Sequence, residues 1–288
     1  MRIVNWNIQW GRGVDGRVDL ARIVREARRV ADFDVLCLQE ISRGFDLADA
    51  DGGLPGGPHG DQFAELASLL PCFAVIEAIG ADLPPAGGGF VRRQFGNAIA
   101  TRLPAGRVIR HTLPWPADPA QPSMQRVALE ATIGTGPEAV RVIATHLEYY
   151  SASQRAAQID ALRAIHAEAC GHAARPARAG KGPFAALARP AAAIVCGDFN
   201  TAFDSAHYRR MLDPIPDATD FVDAWRLTHP DAPRAPTVGL YDHQQWSERP
   251  FACDFMFVSV DLAPRVARCE VDAASNASDH QPVVLELR

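Results

Sequence analysis

The apolar run Ala191-Ala192-Ala193-Ile194-Val195-Cys196 passes without a break into Gly197-Asp198-Phe199-Asn200. A run that apolar reads as a strand buried on both faces, which demands a covering layer on each side of its sheet. A carboxylate and a carboxamide two residues apart, where such a strand leaves the core, form a site rather than packing. The pattern recurs. Arg2-Ile3-Val4 runs into Asn5-Trp6-Asn7, Asp34-Val35-Leu36-Cys37-Leu38 into Gln39-Glu40, and Val140-Arg141-Val142-Ile143-Ala144 into Thr145-His146-Leu147-Glu148. Ser278-Asp279-His280 leads into the last strand, Pro282 to Leu287. With these strands side by side, one rim of the sheet gathers Asn, Glu, His and Asp side chains. Such a set suits a hard divalent cation and the movement of protons.

The chain has 288 residues, 48% of them hydrophobic, enough for one large or two small domains. No uninterrupted apolar segment approaches the ~20 residues of a membrane span, and the opening residues lack a signal-peptide layout. The expectation is a cytoplasmic protein with no membrane partner. Cys37, Cys72, Cys170, Cys196, Cys253 and Cys269 form no C-x-x-C pair and read as free thiols. The formal charge of -5 argues against binding over a broad surface of phosphates.

Val18 to Ala31 carries an apolar stripe at Leu20, Ile23, Val24, Ala27 and Ala31, the spacing of an amphipathic helix. Ser151 to Ala169 reads as a second helix, opened by Ser151 and Gln154 at capping-box spacing. Gln125 to Ile133, Cys253 to Val258 and the last strand read as members of antiparallel pairs, so the sheets are mixed. Four stretches read as loops. Asp46 to Asp61 is Gly/Pro-rich and acidic, with Asp46, Asp49, Asp51 and Asp61; Asp82 to Gln94 carries Gly87-Gly88-Gly89 and Arg92-Arg93. Gly171 to Pro190 is basic, with Arg175, Arg178, Lys181 and Arg189, and reads as a solvated connection; Ala235 to Pro250 carries Tyr241, His243 and Trp246. None reads as a linker, because strand patterns on both sides feed the same rim. Residues 1–288 therefore read as a single domain.

The strings Asn5-Trp6-Asn7, Leu38-Gln39-Glu40, Gly96-Asn97-Ala98-Ile99, Thr145-His146-Leu147, Gly197-Asp198-Phe199-Asn200, Asp254 and Ser278-Asp279-His280 follow the order of the endonuclease/exonuclease/phosphatase superfamily, which this chain resembles from residue 3 to residue 287. Each string alone is short; their order, each against a strand, carries the resemblance. It implies an α/β fold, a four-layered α/β sandwich of two facing mixed β-sheets flanked by helices, with the active site where strand ends open at one edge.

A phosphoester resists attack because its oxygens repel a nucleophile and its leaving oxygen needs charge relief. A divalent cation does both, and hard oxygen ligands select Mg²⁺ or Mn²⁺. Glu40 is the candidate principal ligand, with Asp279 completing the shell and Asn7 adding an uncharged oxygen. By resemblance, Asp254 fixes the tautomer of His280, Asp198 and Asn200 position the attacking water and a phosphoryl oxygen, and His146 is a phosphate ligand or proton donor. Asn97, Trp246, Arg92 and Arg93 are candidate substrate contacts, whereas Trp6 and Trp10 read as packing. Asp254 lies among Phe251, Cys253, Phe255 and Phe257, where an unpaired charge is costly, so a buried partner is expected.

Rival chemistries fail on spacing. His146-Leu147-Glu148 lacks the Pro-Cys-x-x-Cys of a zinc deaminase, and Gly180-Lys181-Gly182 lacks the rest of a phosphate-binding loop. There is no H-E-x-x-H and no G-x-S-x-G. The expected enzyme is a Mg²⁺- or Mn²⁺-dependent phosphoesterase acting through activated water, without a covalent intermediate, on a small phosphoester or a flexible nucleic-acid end. Pro250-Phe251-Ala252-Cys253-Asp254 differs from the tryptophan-cysteine-aspartate-arginine run of inositol phosphatases. A DNA or RNA nuclease, and a non-catalytic phospholigand- or protein-binding member of the family, are the alternatives.

Overall fold

A computed structural model describes residues 1–288 except 49, 51, 52, 87 and 88. Asp49 and Asp51 of the acidic loop, and Gly87-Gly88 of the glycine run, thus lie outside the described residues. The strands are β1 (Arg2–Asn7), β2 (Val35–Asp46), β3 (His59–Asp61), β4 (Ala74–Leu83), β5 (Arg93–Thr101), β6 (Ala105–Thr112), β7 (Val127–Ile133), β8 (Val140–His146), β9 (Ala193–Asp198), β10 (Phe221–Asp223), β11 (Asp254–Ser259), β12 (Val266–Val271) and β13 (Val283–Leu287). The helices are α1 (Leu20–Val30), α2 (Gln62–Leu69), α3 (Ala152–Ala174), α4 (Ala206–Leu212) and α5 (Ala224–Thr228).

Two mixed sheets result. One runs β12-β13-β1-β2-β5-β4, with β3 on β2; the other runs β10-β11-β9-β8-β7-β6. The parallel pairs β1/β2 and β8/β9 are the crossovers closed by α1 and α3, since parallel neighbours need a connection long enough for a helix. Ile3, Cys37 and Ile99 of the first sheet meet Leu129, Val142 and Cys196 of the second in the central core. Behind the first sheet, Val4, Trp6, Leu36 and Leu38 pack on Ile23, Phe63 and Leu66 of α1 and α2. Behind the second, Ile143, Val195 and Phe257 pack on Ile159, Leu162 and Met211 of α3 and α4. These are the four layers the resemblance implied. No helix among the described residues is long and apolar enough to cross a membrane, and all six cysteines are free.

The helix starts follow their caps: Asp19 accepts from the Arg22 N–H and Ser151 from the Gln154 N–H. The basic stretch departs from expectation. Gly171 to Ala174 extend α3, and Arg189 is buried, donating to Glu130 at 2.7 and 3.0 Å. Glu130 also takes His111, and although burial opposes ionisation, His111 and Arg189 hold its pKa down at about 2. Arg189 is therefore an anchor, withdrawn from any solvent-facing role.

Beside this network, His166 accepts from Arg141 through Nδ1 at 2.7 Å, and its Nε2–H donates to the Thr219 carbonyl at 2.9 Å. Burial, and then Arg141, lower its pKa from 6.5 to about 4. The unfolded chain binds this proton first as pH falls, so stability is complete above about pH 6.5 and declines towards pH 4. The slope is at most about 1.4 kcal/mol per pH unit. Glu40 and Asp198, raised to about 7 and about 6, pull the other way over the same range, so the test is a difference: between pH 7 and pH 5 the urea midpoint of His166→Gln should move less towards instability than that of the wild type. Parallel midpoints in the two proteins would place the dependence elsewhere.

Candidate active site

Strand register assembles most of the site. His146 closes β8 beside Asp198, which ends β9, and Asp198 stands opposite Asp254, which begins β11. In the other sheet Asn7 closes β1 beside Gln39. The Asn7 carboxamide then joins the sheets, donating from Nδ2 to Glu40 Oε1 and to Asp198 Oδ2, each at 3.0 Å. The expectation of a rim along one sheet is corrected here, because the cluster spans the gap between two. Asn7 turns its nitrogen to the carboxylates, while its oxygen accepts from the Gln9 N–H at 3.1 Å.

Glu40 does not end its strand. β2 continues to Asp46, and the pairing with β5 slips between Gln39 and Ile41. Glu40 is the residue left over, with φ of +60°. A bulge re-aims a side chain without ending the sheet, and here it turns a carboxylate into the site. Asn200 likewise has φ of +48°, while Gln9 and Trp10, at +42° and +46°, follow Asn7 after Ile8. Non-glycine residues rarely adopt this conformation, and where they do, surrounding structure holds the strain.

His280 and Asp254 are both buried, with Nδ1–H donating to Asp254 Oδ2 at 2.9 Å. The Asp254 partner sought by the sequence argument is therefore present. Nε2 of His280 lies 3.8 Å from Asp198 Oδ2, and Nε2 of His146 lies 3.6 Å from the same oxygen and 3.9 Å from Glu40 Oε1. Burial lowers the His280 pKa, but Asp254 and Asp279 outweigh it and hold the imidazole well above its ordinary value. Burial, then Arg126, push His146 the opposite way, so it stays neutral. Its Nε2 accepts from Asn200 Nδ2 at 3.0 Å. As placed, Asn200 orients His146 through its side chain and Asp198 through its backbone N–H, at 2.8 Å.

His280 offsets the charge of the carboxylates only in part. Burial, then Asp279, raise Glu40 to about 7; burial, then Asp254, raise Asp198 to about 6. Glu40 and Asp279 repelling each other across a half-buried mouth is the arrangement a hard cation would relieve, so the donor set fits Mg²⁺ or Mn²⁺. Asp198, Cys253 and His280 also lie within reach of one another. Cys253 is a poor ligand, however, because burial pushes its thiol pKa well up, and only the thiolate binds metal strongly.

Of the candidate substrate contacts, Trp246 reaches the cluster, donating from Nε1 to Asp279 Oδ2 at 3.1 Å. Asn97 is buried and donates to the Val127 carbonyl at 2.9 Å, beside a small cleft that also touches His146 and Arg126. Arg92 and Arg93 are not brought to the cluster. Arg92 pairs with Asp82 at 2.6 Å and Arg93 donates to the Pro84 carbonyl at 2.9 Å, both on their own loop. Trp6 is fully buried and Trp10 donates to the Gly56 carbonyl, as packing residues would.

Sequence reasoning missed Thr237. Its hydroxyl accepts from the N–H groups of Cys253 and Asp254 at 3.1 Å, and its carbonyl accepts from Gln281 at 2.8 Å. It thereby fixes Asp254 and His280 relative to each other. It also missed the buried Arg12–Asp242 pair, 3.1 Å apart, which ties the loop carrying Trp246 to the turn after β1. A lone Thr and two charges 230 residues apart carry no local signal.

Gly197 shows why a glycine precedes Asp198. A Cβ there would lie 1.9 Å from the Thr145 carbonyl oxygen, in the backbone of β8. Gly197→Ala must force β8 and β9 apart, and with them His146 and Asp198. The expected cost exceeds about 4 kcal/mol, at the far end of single substitutions, read as the shift in urea unfolding. A change under about 1 kcal/mol would contradict the close approach.

Residues 4–280 match the sequence pattern of the Endonuclease/Exonuclease/phosphatase family. No match was found among curated proteins. An endonuclease/exonuclease/phosphatase from Beutenbergia cavernae aligns over 100% of this chain and 71% of its own, with 23% identity and a TM-score of 0.61. One from Bacteroides vulgatus aligns over 100% and 98%, with 17% identity and a TM-score of 0.62. A 3' phosphatase from Neisseria, solved with a product DNA hairpin, aligns over 100% and 99%, with 19% identity and a TM-score of 0.58. At such identities the likeness is one of fold.

Proposed function

The chain belongs to the Endonuclease/Exonuclease/phosphatase family, and from that premise we propose that it is a Mg²⁺- or Mn²⁺-dependent phosphoesterase acting on a small or flexible phosphoester. The observation that carries this reading is the pairing of His280 with Asp254 beside Glu40, whose carboxylate both Asp279 and Asp198 repel. Glu40 and Asp279 would hold the cation, with Asn7 contributing its oxygen once its amide is turned over. When bound, a divalent cation supplies charge neutralisation at the phosphoryl oxygens and the leaving oxygen.

With Nδ1 held by Asp254, Nε2 of His280 would be the atom to take a proton from water aligned by Asp198, in the neutral form of the ring that a cation offsetting the charge of Asp279 would favour. The water oxygen would bond to phosphorus as the ester P–O bond breaks; the leaving oxygen would take a proton from solvent, and the proton held on His280 would return to solvent. Neutral His146, oriented by Asn200, lines the opposite side. A relic that only binds would have no need to keep Glu40, Asp198, Asn200, Asp254 and His280 together.

Nuclease activity is the rival, and salt separates the two. Long DNA is held by many phosphate contacts whose strength falls steeply with salt. Arg92 and Arg93 are occupied on their loop, and the net charge is -5. Bis(p-nitrophenyl) phosphate, p-nitrophenyl phosphate, plasmid and single-stranded DNA should be compared with Mg²⁺ and with Mn²⁺. Turnover of the small diester should change little between low and physiological salt, with weak plasmid nicking throughout. Efficient nicking that collapses at physiological salt would put the nuclease first; no turnover of any ester would leave the binding role.

A further inference from the structure

From His280 outward, aromatic rings touch one another to the surface. Trp246 meets the His280 ring at 6.0 Å between centroids, Tyr149 meets Trp246 at 6.3 Å, and Tyr150 meets Tyr149 at 4.8 Å. All three contacts are edge-to-face, at 87°, 81° and 89°. Tyr149 is 46% exposed and Tyr150 is 53% exposed, although they follow directly on the buried segment His146-Leu147-Glu148.

The backbone beneath these rings is firmly held. Arg155 donates to the carbonyls of Glu148 and Tyr149, at 2.6 and 2.9 Å. The Tyr150 N–H donates to the Glu148 carboxylate at 2.9 Å, and the Glu148 N–H to Gln158 at 2.8 Å. Trp246 is held from both ends, its N–H on the Asp242 carbonyl at 3.0 Å and its indole on Asp279. Rigid aromatic rings left open to water are a preorganised contact surface with little ordering cost. The neighbouring cations serve the scaffold instead, with Arg126 on Glu148 and Arg12 on Asp242. This side of the mouth offers ring faces and edges, with Glu248 and Arg249 exposed beside Trp246.

Building on the phosphoesterase reading, we infer that Tyr149, Tyr150 and Trp246 form a stacking wall that selects phosphoesters whose non-leaving arm bears a flat aromatic ring beside the ester. Stacking on aromatic side chains is tolerant of ring identity, because every such ring has a π-face. An aryl group and a nucleobase share that chemistry.

The test uses diesters that share p-nitrophenol as leaving group and differ in the other arm: methyl, phenyl or 5'-thymidyl, all with saturating Mg²⁺. Wild-type kcat/KM should favour the phenyl and thymidyl esters over the methyl ester by about tenfold or more. The Tyr149→Ala/Tyr150→Ala double variant should reduce that ratio towards one, whereas Tyr149→Phe/Tyr150→Phe should retain it. A thymidyl ester above the phenyl ester assigns the wall to nucleobases; equal values assign it to aromatic rings in general. Equal kcat/KM for all three esters in the wild type, or a ratio that survives in the Ala variant, overturns the stacking wall and leaves the phosphoesterase intact. No turnover of any ester would overturn the phosphoesterase reading, and the wall with it.

Discussion

His280→Ala should lower kcat by roughly 10²–10⁴-fold, the contribution of a positioned proton-transfer group. Asp254→Asn should lower it through the same atom. Asp254 accepts from His280 Nδ1 at 2.9 Å, so an amide in its place either loses that bond or presents a second donor to the ring. It also removes the charge that, against burial, keeps the imidazole pKa high. Two residues acting through one imidazole form a unit, and losses within a unit do not add. The double variant should be about as impaired as the worse single one. Losses in kcat that multiply fully would show the residues to act independently. Unfolding midpoints belong beside the kinetics, because both side chains are buried.

Glu40→Gln is expected to have the other large effect, and its sign differs between the metal-free and the loaded protein. Burial and Asp279 hold Glu40 near a pKa of about 7, so its ionised form is disfavoured where it stands. A neutral glutamine relieves that repulsion, and the metal-free variant should unfold no lower in temperature than the wild type. Mg²⁺ should raise the wild-type Tm, because a ligand that binds only the folded state stabilises it by mass action. The variant should lose most of this shift, and Mg²⁺ affinity should fall at least about tenfold, as expected when one of only one or two protein carboxylates is removed. Calorimetry showing unchanged Mg²⁺ affinity would remove Glu40 from the cation site.

Much of the fold was legible from local pattern. The stripe from Leu20 to Ala27 faces the first sheet, and Ser151 caps α3 as its spacing with Gln154 implied. The run before Gly197 is a strand covered on both sides. Other elements stayed hidden. β4 and β6 are mixed in polarity and partly exposed, and Gly80, Gly96 and Gly106 interrupt the pattern that would announce β4, β5 and β6. The basic stretch looked solvated because composition does not reveal that Arg189 would find Glu130, a residue buried on a different strand.

The chemistry of the site was written locally. Strands ending in Asn7, His146 and Asp198, a carboxylate at Glu40, and the pair Asp279-His280 place carboxamide, imidazole and carboxylate groups where chain leaves core. Strand periodicity is a short-range property, and a neighbour two residues away suffices to reveal it. Which of those groups meet depended on long-range packing. The gap between two sheets brings Asn7 to Asp198, 191 residues apart, and a one-residue bulge turns Glu40 inward. Thr237 ties together the backbones of Asp254 and Gln281, and Arg12 reaches Asp242 across the fold. Such contacts are fixed by how the layers close and by register between distant strands, and neither leaves a mark on the residues next in sequence.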